Sequence, residues 1–311
     1  MPGTTDTAVY RPGLGTMTLT GGYGHVAPAD ARDVLQHALD HEVALLDTSD
    51  AYPGGEALVA RALVGRRERP LVVTKCGLSG DPGRRVPCGR PEYLARACAA
   101  SSRRLAVDTI DVVILHRVDP QVPVEESIGA LADLRGRGLI ARVGISTSDA
   151  EVIRRAATVE KLAFVEAPLS VVAPGDIDRL LLAVRETGCT LLAYSPLGRG
   201  LAASSRTRKY GIDDARAHIA EMHEPARINR AEALATLADG FGLSMVELAL
   251  GWLVSLGADV IPIPGARNRE QALQNLQAQQ PLPPEIFAAV DAFTRAGNDP
   301  GGRVPRRSER G

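Results

Sequence analysis

Residues 109–116 read TIDVVILH, an almost wholly apolar run that ends on a histidine. Such runs are typical of strands that are buried on both faces, as in a parallel sheet. Similar short runs recur along the chain, each followed by a longer segment with apolar residues three and four positions apart, the spacing of an amphipathic helix. The pattern therefore predicts repeated βα units, with strands at residues 13–18, 44–48, 71–75, 109–116, 141–146, 163–168, 190–195 and 258–262.

Helix-opening residues support this division, because Pro28, Pro91 and Asp149 stand where three of the predicted helices begin. Strand–helix units without a break in composition predict an α/β protein with one domain, a (β/α)8 or TIM barrel, over residues 1–296. Residues 297–311, rich in Gly, Pro and Arg, are predicted to be a flexible C-terminal tail. A doubly wound sheet is the alternative, but it would normally carry a GxGxxG turn after the first strand, and Gly13-Leu14-Gly15-Thr16 lacks the third glycine.

Composition narrows the classes of protein to consider. The chain has 311 residues, of which 45% are hydrophobic and 23% charged, as in ordinary globular proteins. A net charge of −1 favours neither nucleic acid nor an anionic membrane as a partner. No targeting or membrane-spanning segment is evident, so we expect a cytoplasmic protein. The oligomeric state is not defined by the sequence. The cysteines form no CxxC pair and predict neither a disulfide framework nor a metal site: Cys76, Cys88, Cys98 and Cys189.

Polar residues end three consecutive predicted strands: Asp47 in ALLDTS, Lys75 in LVVTKCG and His116 in DVVILHR. Neighbouring parallel strands lie about 4.8 Å apart and end at the same face of a barrel, so these side chains are expected to meet. Tyr52 follows Asp47 across a short turn and reaches the same mouth. Singly, Asp47 is also compatible with a cap, Tyr52 with a loop aromatic and His116 with a structural histidine. A buried lysine, however, needs an opposite charge such as Asp47.

The chain resembles the aldo-keto reductase family from Gly13 to about Phe293. Several motifs match in order and spacing: LLDTSDAY, VVTKCG, LAVDTIDVVILHRVDP, ALADLRGRGLIARVGIST, LLAYSPLGRGLA and IPGARNREQALQNL. The resemblance implies that Asp47, Tyr52, Lys75 and His116 are a catalytic tetrad that reduces a small-molecule aldehyde or ketone with NADPH. Tyr52 would protonate the forming alkoxide. Lys75 is expected to lower the pKa of Tyr52, Asp47 to hold Lys75, and neutral His116 to align the carbonyl.

The resemblance also implies a coenzyme site. Tyr194 would stack on the nicotinamide ring, and the glycine-flanked Arg199 follows where the family holds the pyrophosphate. Arg267, or alternatively Arg269, would bind the 2′-phosphate, which favours NADPH over NADH. The expected cofactor-binding residues are Gly15, Thr16, Met17, Asp47, Ser146, Thr147, Glu166, Tyr194, Ser195, Pro196, Leu197, Gly198, Arg199, Ile263, Pro264, Gly265, Ala266, Arg267, Gln271, Gln274 and Asn275.

Departures from the family pattern bear on the carboxamide of the coenzyme. The family often has Ser-Asn and Gln where this chain has Ser146-Thr147 and Glu166. Glu166 can accept a hydrogen bond but cannot donate one unless it is protonated. The turn at Pro53-Gly54-Gly55 looks shorter than usual, which suggests a wider mouth.

Other functions are compatible with the same residues. The same residues would serve an aldose or alcohol dehydrogenase, and a nucleotide-sensing regulatory protein can use the same barrel. The loops at residues 77–90 and 198–228 are expected to shape substrate access. Arg84 and Arg85 could meet an anionic substrate group or simply be solvated, and Cys76 could be a reactive thiol or, more plainly, a buried structural residue.

Overall fold

Eight parallel strands form one barrel-like sheet in the computed structural model, which describes residues 11–81, 84–203, 210–212 and 214–296. Strand order follows chain order. The strands are β1 (Gly13–Gly15), β2 (Leu45–Asp47), β3 (Leu71–Cys76), β4 (Ile110–Leu115), β5 (Ile140–Ser146), β6 (Phe164–Pro168), β7 (Thr190–Tyr194) and β8 (Val260–Pro262). The predicted (β/α)8 fold with a single domain is confirmed.

Helices surround the sheet and bury their apolar stripes against it. They are α1 (Pro28–Asp40), α2 (Gly55–Leu63), α3 (Pro91–Leu105), α4 (Val124–Gly136), α5 (Ala150–Val159), α6 (Ile177–Glu186), α7 (Pro225–Phe241), α8 (Met245–Ser255), α9 (Arg269–Gln277) and α10 (Pro284–Ala296). The predicted starts at Pro28 and Pro91 are confirmed, and Asp149 caps α5 by accepting from Glu151 N and Val152 N.

The barrel closes where β1 meets β8, because Gly15 N donates to Pro264 O at 2.9 Å. A side chain at Gly15 would bring its Cβ to 3.0 Å from Ile263 O, so glycine permits the close approach of the two backbones. Gln279, just past α9, donates to Gly13 O and accepts from Gly13 N, both at 2.9 Å. The closure between β1 and β8 is thus held by backbone contacts and by the buried side-chain amide of Gln279.

The alternation of side chains along each strand determines which polar residues point into the barrel. The interior of the barrel holds a separate apolar cluster, Leu45, Val73, Val112, Ile114, Phe164, Leu192, Ile261 and Ile263. Successive side chains of a strand point to opposite faces, so residues two positions further point inward again, one layer nearer the carboxyl ends. Those positions are Asp47, Lys75, His116, Glu166 and Tyr194. A polar layer therefore lies directly on the apolar core of the barrel.

Element boundaries differ from the sequence expectation at several points. β1 ends at Gly15 instead of residue 18, because the chain turns into a 3₁₀ segment at Met17–Thr20. The loop after β7 ends before residue 228, since α7 begins at Pro225. Two helices, α7 and α8, separate β7 from β8, whereas the simple repeat predicts one.

Three expected features fall partly or wholly outside the described residues. The tail 297–311 does so entirely, and the loops at 77–90 and 198–228 do so in part. The described part of the first loop contains a small antiparallel pair, Leu78–Ser79 with Val86–Pro87. Within the described ranges no single helix has the length and apolar composition to span a membrane; the bent pair Pro225–Phe241 and Met245–Ser255 meets those criteria only jointly.

Candidate active site

Lys75 is the centre of the polar layer, and its side chain is completely buried. Its ammonium lies 2.5 Å from Asp47 Oδ2 and donates to Thr48 O at 3.0 Å. Glu166 Oε2 is a second anionic neighbour at 3.3 Å. The adjacent carboxylates raise the pKa of Lys75 against the opposing effect of burial. The expected ion pair between Asp47 and Lys75 is present, and Lys75 stays charged.

Tyr52 and His116 complete the predicted group of four. Nζ of Lys75 lies 5.4 Å from the centroid of the Tyr52 ring. The rings of Tyr52 and His116 meet edge to face, with centroids 6.2 Å apart. Both side chains are only partly buried, in contrast to Asp47 and Lys75. The structure therefore brings the four residues together, with the buried ion pair below and the two aromatic rings at the mouth.

The expected lowering of the Tyr52 pKa does not occur in the protein alone. Burial is the largest influence and raises this pKa well above that of free tyrosine, with smaller contributions from Asp47 and Glu166. Lys75 acts in the expected direction but does not offset burial. Tyr52 is consequently a protonated phenol at neutral pH, ready to donate, but not an intrinsically strengthened acid.

His116 is held in its neutral form. Burial, Lys75 and the arginines at positions 117 and 85 lower its pKa to about 3. Ser49, which no motif in the sequence indicates, contacts the ring, with Oγ 3.1 Å from Nδ1. Ser49 Oγ also accepts from Ala51 N at 3.0 Å, so the turn that carries Tyr52 fixes its position. When the Ser49 hydroxyl donates to Nδ1, Nε2 keeps the proton and can donate to a substrate oxygen.

Glu166 is the unusual member of the polar layer. It is 4% exposed, and burial followed by the nearby Asp47 raises its pKa to about 8. Oε2 is at ion-pair distance from Lys75 but has no well-formed hydrogen bond within the described residues. With this pKa, Glu166 is mostly protonated at neutral pH. Its carboxyl O–H can then donate a hydrogen bond, which an ionised glutamate cannot do.

Glu166→Gln is expected to stabilise the protein increasingly as the pH rises from about 5 to 9. The pKa of Glu166 is higher in the folded state (about 8) than for a free glutamate (4.5), so its ionisation opposes folding over this interval. At pH 9 the variant should gain about 2 kcal/mol or more in free energy of unfolding, and near pH 5 little. Urea titrations of both proteins across this range measure the difference. A difference that stays constant with pH would contradict the assignment.

A cavity of about 240 Å³ at the carboxyl ends of β1, β7 and β8 collects most of the expected coenzyme residues. Its walls include Gly15, Met17, Asp47, Tyr194, Ser195, Pro196, Leu197, Arg199, Ile263, Pro264, Gly265, Arg267, Gln271, Gln274 and Asn275. Ser195 and Arg199 adopt left-handed backbone conformations that are uncommon for non-glycine residues and often mark functional turns. The remaining expected residues do not line it: Thr16, Ser146, Thr147, Glu166, Gly198 and Ala266.

Arg267 and Arg269 are distinguished by their partners. The guanidinium of Arg269 is paired with Asp33 of α1. Arg267 donates to His25 O at 3.0 Å, whereas its Nε is buried and has no hydrogen-bond partner within the described residues. An arginine donor left without a partner at a cavity wall suits an anionic ligand group. Of the two arginines, only Arg267 lines the cavity and carries such a donor.

Arg216 and Tyr23 also line the cavity, although no motif in the sequence indicates either residue. The Arg216 guanidinium lies 4.7 Å from the Tyr23 ring and 4.6 Å from that of Tyr210, and it forms an ion pair with Asp214 at 2.6 Å. These contacts join the loop after β7 to the loop after β1 across the cavity. Because the two loops are almost 200 positions apart, spacing in the sequence gives no indication of the contact.

A larger cavity than the one beside Asp47 lies elsewhere. It measures about 800 Å³ and is found at the amino ends of β2, β3 and β4, among Glu42, Arg69, Asp111 and other residues. The amino-terminal face of such a barrel is not where catalytic residues gather. The smaller cavity beside Asp47 is therefore the better candidate.

Other candidates from the sequence have plainer roles. Cys76 is buried against Cys98, with the sulfurs 3.8 Å apart, and this contact and burial raise its pKa, which disfavours the reactive thiolate. Arg84 and Arg85 precede the second strand of the small hairpin, Arg84 exposed and Arg85 partly buried. No group of three or more metal-ligating side chains is found among the described residues.

Comparisons of the sequence and of the structure with known proteins indicate the same family. The model of the aldo/keto reductase family matches residues 13–295. The probable aldo-keto reductase 1 of Glycine max is 32% identical, over 95% of this chain and 89% of that protein. The structure of the glycerol dehydrogenase AKR11B4 from Gluconobacter oxydans superposes with a TM-score of 0.81 at 28% identity, covering 96% of this chain and 95% of the other.

A second solved structure, the holo form of the aldo-keto reductase AKR11C1 from Bacillus halodurans, has a TM-score of 0.74 at 25% identity, with 91% of each chain covered. Both neighbours share the barrel over nearly their whole length. The matched family model also includes every residue of the polar layer at the carboxyl ends of the strands. This chain belongs to the aldo/keto reductase family, whose members are oxidoreductases that act on carbonyl compounds and use nicotinamide cofactors.

Proposed function

We propose that the protein is an NADPH-dependent reductase that converts a small aldehyde or ketone to the alcohol, with Tyr52 as the general acid. The observation that carries the proposal is the convergence of Asp47, Lys75, Tyr52 and His116 beside the cavity that reaches Asp47. The coenzyme, when bound, supplies the hydride, which no protein side chain can provide. The described residues fit it through the cavity walls and the unpartnered Nε of Arg267.

Each side chain has a separate task in this proposal. His116, neutral because of its low pKa, donates Nε2–H to the carbonyl oxygen and orients it. Tyr52 transfers its hydroxyl proton to the same oxygen as negative charge develops there. Lys75 stabilises the resulting phenolate, and Asp47 fixes the ammonium at 2.5 Å. Ser49 Oγ, 3.1 Å from Nδ1, would keep the proton on Nε2 by donating its hydroxyl hydrogen to Nδ1.

The decisive experiment follows NADPH absorbance at 340 nm with a generic aldehyde such as nitrobenzaldehyde, and then with a panel of carbonyl compounds and sugars. Consumption of NADPH that depends on both enzyme and carbonyl supports the proposal. Failure to oxidise NADPH with any carbonyl, together with tight coenzyme binding, would instead support a nucleotide-sensing role.

Arg267→Ala is expected to reduce the preference for NADPH over NADH by roughly 10- to 100-fold in kcat/KM, because a charge-assisted contact with phosphate is worth about 1.5–3 kcal/mol. The change should fall on NADPH, while kcat/KM for NADH stays nearly constant. Arg269→Ala is the matched control, since the Arg269 guanidinium is paired with Asp33. Equal activity of the wild-type enzyme with both coenzymes would refute the choice of NADPH.

The oxidative direction is the second candidate, and the likeness to a glycerol dehydrogenase favours it. The same four residues serve it, with the Tyr52 phenolate accepting the proton of an alcohol. Initial rates with NADP⁺ and a panel of polyols, compared with the rates of carbonyl reduction, distinguish the two directions.

A further inference from the structure

Two carboxylates share one buried ammonium at the centre of the site. Asp47 Oδ2 lies 2.5 Å and Glu166 Oε2 3.3 Å from Nζ of Lys75. The side chains of Asp47 and Glu166 are each 5% exposed and that of Lys75 is 0% exposed. If all three groups are ionised, this dry cluster carries an excess negative charge, which is costly. Asp47 takes the close contact, so Glu166 is the carboxylate whose charge is less well compensated.

The chemistry of the proposed function places the nicotinamide ring near this cluster. Hydride transfer requires the donor carbon and the carbonyl carbon to approach to about 3–3.5 Å, while the carbonyl oxygen contacts Tyr52. The Tyr52 ring lies 5.4 Å from the same Nζ that Glu166 approaches. Tyr194 at the cavity wall stands on β7, which pairs with β6 through Glu166 and Leu192. A charge on Glu166, which does not itself line the cavity, would therefore act on a bound ring through the buried layer, a poorly screening medium.

We propose that Glu166 sets the preference of the site for oxidised over reduced coenzyme, its carboxylate favouring the positively charged oxidised nicotinamide. This inference rests on the proposed function. The reduced ring is neutral, and the two forms of the coenzyme are otherwise alike, so the ratio of their dissociation constants isolates the effect of the ring charge. Glu166 is a specificity-determining residue in this account and does not itself transfer the proton to the substrate.

The preference depends on pH because Glu166 changes charge in the weakly alkaline range. The charged and titratable groups that act on it are Asp47, Lys75 and Arg117, and Tyr52 interacts with it in turn. Burial and Asp47 raise the pKa of Glu166 to about 8, while Lys75 and Arg117 oppose them. Above this pH the carboxylate is ionised and the oxidised coenzyme gains affinity. By linkage, binding of the oxidised coenzyme must release protons.

Equilibrium binding of NADP⁺ and NADPH at pH 6.5 and 9 tests the inference on the intact protein without turnover. We expect the ratio Kd(NADPH)/Kd(NADP⁺) to rise about tenfold between the two pH values, which corresponds to about 1.4 kcal/mol. In Glu166→Gln the ratio should stay flat. Glu186→Gln, the same change in an exposed partner of Arg154, is the matched control and should behave as wild type.

Calorimetry of the wild-type protein at pH 8, in two buffers of different ionisation enthalpy, keeps the inference testable if Glu166→Gln does not fold. NADP⁺ should release more protons on binding than NADPH. An affinity ratio independent of pH, an unchanged response in Glu166→Gln, or equal proton release overturns this inference alone. Binding of neither coenzyme overturns the proposed function and the inference together.

Discussion

Tyr52→Phe is expected to lower kcat for carbonyl reduction by about 10²- to 10⁴-fold, the usual contribution of a positioned proton donor. The variant removes one hydroxyl from a ring whose position is set by its edge-to-face contact with His116 and its place over Lys75. Phenylalanine can keep the ring contacts, so the fold should be unaffected. Without the hydroxyl, the alkoxide must take its proton from water or from neutral His116, both poorer donors here.

Measuring coenzyme affinity distinguishes a role of Tyr52 as proton donor from a purely structural role. Tyr52 does not line the coenzyme cavity, so Kd for NADPH should change less than twofold. The matched control is Tyr93→Phe, which removes a hydroxyl that donates to Leu78 O in the small hairpin, and which should keep most of the activity. Undiminished turnover in Tyr52→Phe, or a parallel loss of coenzyme binding, would show that Tyr52 is not the acid.

The sequence predicts the barrel and most of the polar layer because both depend on local regularities. Apolar runs define the strands, and the two-residue alternation that buries Leu45 and Val73 in the barrel also points Asp47 and Lys75 inward. Phe164 and Glu166 follow the same rule. Reading this alternation on every strand would have placed Glu166 beside Lys75 without reference to any family.

Other features depend on contacts between distant segments. Ser49 approaches His116 only because the turns after β2 and β4 meet, and Arg216 reaches Tyr23 only because a long loop crosses the cavity. The pKa of Tyr52 is a different case. The direction of its shift depends on whether the effect of burial or the effect of the Lys75 charge is larger. Neither effect can be judged from residue types alone.

Lys75→Met should cost about 3–5 kcal/mol of folding free energy at pH 8, since removal of one partner from a buried ion pair leaves the other uncompensated. Here two carboxylates lose their cation, Asp47 at 2.5 Å and Glu166 at 3.3 Å. Carbonyl reduction should also fall below detection, because no charge remains to stabilise the Tyr52 phenolate. Lys161→Met, the same change at an exposed lysine, should alter stability by no more than about 0.5 kcal/mol.

The pH dependence identifies the carboxylates as the source of this cost. Without Lys75, which lowers both values, the already raised pKa of Asp47 and that of Glu166 should rise further. Both groups are then more fully protonated in the folded variant at pH 6 than at pH 8, so the loss of stability relative to wild type should be smaller at pH 6. The double variant Asp47→Asn, Lys75→Met should be more stable than Lys75→Met alone, because one uncompensated carboxylate is gone. Urea titrations of the wild type and the variants at both pH values measure these differences. If the single variant loses less than about 1 kcal/mol, or the added Asp47→Asn change destabilises it further, Lys75 is not the cation that permits these two carboxylates to be buried together.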